Sequence, residues 1–118
     1  MSKIFPLKNQ DRINGTSYHD DFVYASLDEL ERVLGVKAFR YYDDKVNYEF
    51  DLETEDGIPF TIYDWKEGEY LPTDMKIHYH IGARTPEESK QVSDILKECG
   101  LESGKTDYSA FFANLLGW

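Results

Sequence analysis

The sequence is poor in cysteine, proline and basic residues, and it contains no long hydrophobic run. Its 118 residues include a single cysteine, Cys99, four prolines, and 13 basic residues against 23 acidic ones. One cysteine cannot form an internal disulfide, which is typical of a reducing compartment. No apolar stretch reaches the roughly 20 residues that cross a bilayer, and the apolar patch at residues 4–7 is too short for a signal peptide. We therefore expect a cytoplasmic protein, located in the cytosol of a host cell.

The charge balance narrows the classes of partner. A formal net charge of −10 disfavours direct binding to nucleic acid or to an anionic membrane, because both carry the same sign of charge. The sequence shows no basic patch that would offset this repulsion. Its glycines match neither a phosphate-binding loop nor a dinucleotide fingerprint. These features predict a non-enzymatic protein without a cofactor, whose macromolecular partners have basic surfaces.

Two segments carry clear helix signals. Ser26 opens a capping box, and Gly35 supplies the stop of a first helix. Thr85, followed by proline in the first turn, opens a second helix that ends at Gly100. A third, apolar helix is predicted at residues 107–116. Core packing, a homodimer surface and docking to a target are alternative uses of its apolar face.

The centre of the chain predicts a β-hairpin. Apolar and polar residues alternate strictly over residues 46–54, and a return strand follows over residues 58–65. A three-residue loop with Gly57 in the left-handed conformation pairs Leu52 with Phe60 and keeps the apolar residues on one face. A two-residue loop would set carboxylates beside core residues, so we predict the three-residue loop.

Together these elements predict one acidic α+β domain over residues 1–118. We expect a mostly antiparallel sheet of about four strands, with two or three helices packed on one face. The other strands lie around Phe22 and over residues 75–82, with Met75 facing inward. Residues 1–14 are expected to be irregular and mobile, and residues 101–118 to form a C-terminal helical extension.

Nearly all of the net charge is concentrated in the hairpin region. Residues 41–74 contain eleven acidic residues and two lysines, a net charge of −9. Alternate residues on a strand lie about 6.7 Å apart, so carboxylates on the outer face would form an exposed row resembling the phosphates of a nucleic acid. The predicted partner-binding residues are this row and two aromatic anchors beside it: Glu49, Asp51, Glu53, Glu55, Tyr63 and Trp65. An outer face that serves only solubility is the alternative.

Two other patterns leave alternatives open. His78 and His80 alternate on one strand, within reach of one metal ion, but no further histidine or cysteine completes a ligand set. A metal-dependent enzyme on these histidines is therefore the weakest hypothesis. A small-molecule binder, such as a sponge for a nucleotide signal, is the second. Its pocket would be lined by Tyr63, Trp65, His78, His80 and Arg84. Cys99 falls on the apolar face of the second helix and is predicted to be a buried structural thiol.

Several short motifs resemble one protein family. They are Gly15-Thr16-Ser17-Tyr18, Asp56-Gly57, Thr61-Ile62-Tyr63-Asp64-Trp65-Lys66 and His80-Ile81-Gly82. In these the chain resembles a family of small uncharacterised proteins that are frequent in tailed-phage genomes, over residues 15 to 96. The family usually has tryptophan where this chain has Tyr79, and the resemblance does not cover residues 101–118.

The resemblance implies no catalytic residues. It implies a phage accessory protein acting in an infected bacterium, where small acidic proteins often block host defence. The leading hypothesis is thus a phage-type inhibitor of a bacterial defence protein, similar to an anti-CRISPR protein. Its acidic hairpin face would mimic nucleic acid and bind a basic, nucleic-acid-handling surface.

Overall fold

A computed structural model of the chain describes residues 4–42, 45–68 and 70–106. The predicted helix at residues 107–116 lies outside this part. The described elements, in chain order, are β1 (Ile4–Pro6), a short 3₁₀ helix (Gln10–Ile13), β2 (Ser17–Ala25), α1 (Leu27–Leu34), β3 (Phe39–Arg40), β4 (Tyr48–Thr54), β5 (Pro59–Tyr63), β6 (Ile77–Ala83), α2 (Pro86–Glu98) and β7 (Glu102–Lys105).

The strands form one antiparallel sheet in the order β1-β4-β5-β6-β2-β7, with β3 also pairing β4. The α+β class is confirmed, but the described sheet has seven strands and not about four. The three unpredicted strands have 3, 2 and 4 residues, too few for alternation to be visible. They form because each pairs with a longer strand at the edge of the sheet. The local sequence carries no signal that predicts such pairing.

The hairpin of β4 and β5 has the predicted register. Leu52 pairs with Phe60 and Phe50 with Ile62. Gly57 adopts the left-handed conformation at φ 84° and donates its backbone N–H to the carbonyl of Thr54 at 2.9 Å. The apolar side chains of both strands therefore share the inner face, and the acidic positions share the outer face.

Both predicted helices are confirmed, together with their caps. The Ser26 hydroxyl accepts from the backbone of Glu29, and the Thr85 hydroxyl accepts from that of Glu88, each at 3.1 Å. Both helices contribute to one core with the inner face of the sheet. Its fully buried members include Val23, Leu27, Leu30, Phe50, Leu52, Phe60, Ile62, Tyr79, Ile81, Val92 and Leu96. Neither α-helix in the described ranges is both long enough and apolar enough to cross a membrane.

Three local expectations are corrected. Met75 is exposed, because the strand begins two residues later, at Ile77. Residues 4–6 and 10–13 are ordered into a strand and a 3₁₀ helix, so the N-terminal segment is not irregular there. The segment after α2 begins with strand β7 and not with a helix, because its backbone pairs with β2.

The N-terminal segment is held against the hairpin by specific contacts. Leu7 donates its backbone N–H to the carbonyl of Asp51 at 3.0 Å. The guanidinium of Arg12 contacts the Glu53 carboxylate at 2.5 Å and donates to the carbonyl of Gly57. This segment therefore covers part of the face on which the acidic row was expected.

Candidate functional site

The outer face of the sheet brings one row of side chains together across five strands. The register pairs Phe39 with Glu49, Glu49 with Tyr63, Tyr63 with His80, and His80 with Phe22. Directly paired residues point to the same side of a sheet. Residues from distant parts of the sequence thus form one continuous strip. Its side chains are aromatic except at β4, where Glu49 is acidic.

Glu49 and Asp51 form the acidic centre of this strip and are called the carboxyl pair below. Asp51 is only 7% exposed, and its Oδ1 has no hydrogen-bond partner among the described residues. Burial, followed by the hydrogen bond and the negative charge of Asp51, raises the pKa of Glu49 to about 8. Two carboxyl groups so close together cannot both ionise freely. At neutral pH Glu49 is therefore largely protonated.

Aromatic side chains surround the carboxyl pair. Phe39, Tyr41 and Trp65 are 46%, 53% and 40% exposed, whereas Tyr63 is half-buried. The ring centroids of Phe39 and Tyr41 lie 6.3 Å apart, as do those of Tyr63 and Trp65. Burial, followed by the charges of Glu49 and Asp51, raises the pKa of Tyr41. These four rings and the carboxyl pair are called the acid–aromatic site.

An ion pair with α1 holds β3, and therefore Phe39, at the sheet edge. The guanidinium of Arg40 makes two hydrogen bonds, of 3.0 and 3.2 Å, to the carboxylate of Glu31. The same carboxylate accepts the backbone N–H of Ala38 at 2.9 Å. Burial opposes ionisation of Glu31, but these bonds outweigh it and lower its pKa. Two residues of strand are thereby fixed in place despite their short length.

The prediction that the carboxylates of the outer face form an exposed row is wrong. Asp51 is buried, Glu53 is engaged by Arg12, and Glu49 is half-buried with a raised pKa. The alternation assigned these side chains to the correct face, but that face is partly covered by the N-terminal segment and by neighbouring aromatic rings. Glu55 is exposed in the hairpin turn, beyond the end of β4. Tyr63 pairs with Glu49 across the hairpin, and Trp65 packs edge-on to Tyr63.

Asp64 is another residue counted as surface charge that is wholly buried. Its carboxyl oxygens accept from the backbone N–H groups of Asn47 and Tyr48 at 2.9 and 2.8 Å, and from the Asn47 side-chain amide at 3.0 Å. Asp64 thus fixes the start of β4 against the end of β5. Its role is structural, and its charge does not reach the outer face.

At the opposite end of the strip lies a cavity of about 420 Å³. His78 and His80 both line it, as the small-molecule hypothesis expected. Tyr63, Trp65 and Arg84 do not, and the other lining residues are Tyr18, Phe22, Lys105 and Thr106. Arg84 instead makes two hydrogen bonds, of 2.8 and 2.7 Å, to Glu88.

Both histidine side chains pack against aromatic rings. His80 stacks on Tyr18 with centroids 3.9 Å apart and planes 14° from parallel. His78 packs edge-on against Phe22 at 4.6 Å. Burial lowers the pKa of His80, against the opposing charge of Asp20. Over residues 4–42, 45–68 and 70–106 no group of three or more His, Cys, Asp or Glu is placed to hold a metal ion, so the metal-enzyme hypothesis lacks a third ligand there. The single cysteine, Cys99, is partly buried against the core.

Several residues of these two sites were missed by reasoning from sequence. Phe39 and Tyr41 flank the carboxyl pair from β3 and the loop after it, and Lys105 reaches the cavity from β7. Strands this short leave no periodic signal. Tyr18 and Phe22 lie on β2, whose sequence shows no polar–apolar alternation. The register of β2 against β6 also shifts between these two residues, so the sequence could not assign both rings to one face.

Comparison with known proteins adds no relative. A scan against protein-family models gives no match, and searches of curated proteins and of solved structures give no significant match either. The resemblance to tailed-phage proteins therefore stays a prediction from the quoted motifs.

The raised pKa of Glu49 predicts a pH-dependent stability. In the unfolded chain Glu49 loses its proton near its ordinary pKa, whereas the folded chain keeps it up to about pH 8. The free energy of unfolding should therefore fall as the pH rises from about 5 to 8. Because Glu49 is partly exposed, we discount the effect to about 1–2 kcal/mol.

Glu49→Gln tests this directly, because glutamine resembles the protonated acid. We expect the variant to match wild type at pH 5 and to be more stable at pH 8, by urea unfolding. Glu55→Gln, an exposed substitution in the same hairpin, should leave the pH profile unchanged. Parallel profiles for wild type and Glu49→Gln would contradict the assignment.

Proposed function

We propose that this chain is a non-enzymatic binding protein that receives a basic side chain of a partner protein in the acid–aromatic site. The observation that carries the proposal is the carboxyl pair, desolvated together among exposed aromatic rings. A partner's lysine or arginine would place its charge beside Glu49 and Asp51 and its aliphatic stem against Tyr63 and Trp65. Aromatic faces also attract cations directly.

The chemistry of the carboxyl pair favours a cation over other ligands. Like charges held together in a partly buried place are unfavourable, and an arriving cation relieves this repulsion. It would also lower the pKa of Glu49 from its raised value, so that the acid ionises on binding. The large, rigid rings around the pair are the residue types enriched at binding hot spots.

The partner class follows from charge and from the resemblance. A net charge of −9 over residues 41–74 would speed association with a basic surface by long-range attraction. Proteins that handle nucleic acid have such surfaces. Within this proposal the partner is a bacterial defence protein of that kind, such as a CRISPR effector, and the chain is its phage-encoded inhibitor. In this proposal the acid–aromatic site recognises a cationic side chain of the partner. The chain does not mimic a row of phosphates, as the hypothesis from the sequence had it.

The test begins with partner capture and then measures affinity. The full chain is used to capture proteins from a bacterial lysate at low and high salt, and a partner released by salt is purified. Titration calorimetry then compares wild type with Glu49→Gln and with the double variant Glu49→Gln/Asp51→Asn. We expect the double variant to bind about tenfold more weakly or worse. Glu87→Gln, an exposed acid on α2, should bind as wild type does.

A second measurement identifies the carboxyl pair as the site. If a cation lowers the pKa of Glu49, binding at about pH 7.5 releases a proton. The calorimetric heat will then depend on the ionisation enthalpy of the buffer, and Glu49→Gln will remove this dependence. Unchanged affinity in the double variant, or the absence of any salt-labile partner, would overturn the proposal.

A further inference from the structure

A second site lies on the same sheet face, in the cavity between β2, β6 and the end of β7. Its floor is a set of aromatic rings. Tyr18 and His80 stack in parallel, and His78 lies edge-on to Phe22 and tilted against Tyr24, at 4.7 Å. At about 420 Å³, the cavity falls within the size range of small-molecule sites. It shares no side chain with the acid–aromatic site, so it can be tested separately.

We infer that this cavity binds a free mononucleotide, with its base against the Tyr18 and His80 rings and its phosphate towards Lys105. The stacked pair presents a flat, half-buried surface, and a planar base gains most from such a surface. The Thr106 hydroxyl, 3.0 Å from the Tyr18 hydroxyl, adds a polar group at the rim that can bond to a sugar or phosphate oxygen.

Lys105 supplies the positive charge that a phosphate requires. Its ammonium donates to the carbonyl of His19 at 3.2 Å and lies 3.8 Å from the buried carboxylate of Asp21, yet the side chain is 60% exposed. An ammonium has three donors, and these contacts leave capacity for an anion. Asp20 and Asp21 are the nearby acids, and their negative charges would repel additional phosphates. The cavity therefore suits a ligand with one phosphate better than a ligand with several.

The ligand is a single nucleotide and not a nucleic-acid strand, because of the charge of the whole chain. With a formal net charge of −10, each further phosphate of a strand adds repulsion, and among the described residues that line the cavity Lys105 is the one lysine or arginine. Burial lowers the pKa of His80, so this ring is neutral at pH 7. It therefore acts through stacking, and Lys105 is the cation of the cavity.

The experiment titrates the full chain with AMP, CMP, GMP and UMP and with the matching nucleosides, by calorimetry. We expect at least one monophosphate to bind with a dissociation constant between about 10 µM and 1 mM. The nucleoside should bind about tenfold more weakly, because it lacks the charge-assisted contact to Lys105. Lys105→Ala should weaken the monophosphate to the level of the nucleoside and leave the nucleoside unchanged.

Two further variants separate binding from folding. Tyr18→Leu keeps an apolar side chain but removes the stacking ring, so it should weaken nucleotide and nucleoside alike while the thermal midpoint shows that it is folded. Lys97→Ala removes an exposed lysine that does not line this cavity and should change neither. The inference fails if no monophosphate binds at about 5 mM, if Lys105→Ala binds as wild type does, or if a single-stranded oligonucleotide binds more tightly than the mononucleotide.

Discussion

Replacement of Asp64 by alanine is expected to lower the free energy of unfolding by about 3–5 kcal/mol. The carboxyl group is fully buried and accepts the backbone N–H groups of Asn47 and Tyr48 and the side-chain amide of Asn47. Alanine would leave both backbone N–H groups buried without an acceptor, and it would leave the Asn47 amide with the carbonyl of Gly68 as its remaining acceptor. Each unsatisfied donor costs about 1–3 kcal/mol, and the new cavity adds to this loss. Urea unfolding at pH 7 measures the difference.

Two controls make the result specific. Asp64→Asn keeps the shape of the side chain but replaces one acceptor oxygen with a donor amide. Its free energy of unfolding should therefore lie between those of wild type and Asp64→Ala. Asp74→Ala removes an exposed acid from the following loop and should change stability by less than about 0.5 kcal/mol. If Asp64→Ala unfolds at the same urea concentration as Asp74→Ala, the hydrogen-bonded role of Asp64 is refuted.

Gly82→Ala is expected to destabilise the fold by about 2 kcal/mol, although alanine in a strand is usually better than glycine. A Cβ at Gly82 would lie 2.3 Å from the Thr61 hydroxyl oxygen and 3.5 Å from a ring carbon of Tyr63. Thr61 is buried and stiff at its first torsion angle, so the clash cannot be relieved cheaply. The neighbouring Tyr63 ring is a wall of the acid–aromatic site, so cation binding should weaken as well.

Gly104→Ala is the matched control for this substitution. Gly104 also lies in a strand, but a Cβ there would meet only the Phe22 ring at 3.9 Å, an ordinary contact. We expect Gly104→Ala to be neutral or slightly stabilising, because it reduces the freedom of the unfolded chain. Thermal unfolding of both variants gives the comparison, and equal midpoints would contradict the proposed clash.

The sequence predicted the parts of this fold that have strong local signals. Capping residues placed α1 and α2, and strict alternation with Gly57 gave the β4–β5 register. It did not predict β1, β3 or β7. These strands form through pairing with distant residues, as in the contact of Phe39 with Glu49, and short segments show no preference that reveals such pairing.

The position of the candidate site was predicted, but the burial and ion pairing of its carboxylates were not. Alternation correctly placed Glu49 and Tyr63 side by side, but it carries no information about what covers a face. The ion pair of Glu53 is made by Arg12 of the N-terminal segment, 41 residues away in sequence, and Asp51 is buried. Charge counts treat every carboxylate as solvated, so they overstated the exposed charge of this face.

The left-handed turn at Gly57 makes the hairpin tip a poor place for engineering. Lengthening the tip by a single residue would shift β5 by one position against β4. Because side chains alternate between faces, Phe60 and Ile62 would then turn to solvent while Tyr63 moved under the helices. Reporter peptides and cross-linking handles are therefore better inserted into the connection between β5 and β6, which is much longer than the turn at Gly57 and can absorb added residues without changing the register of its two strands.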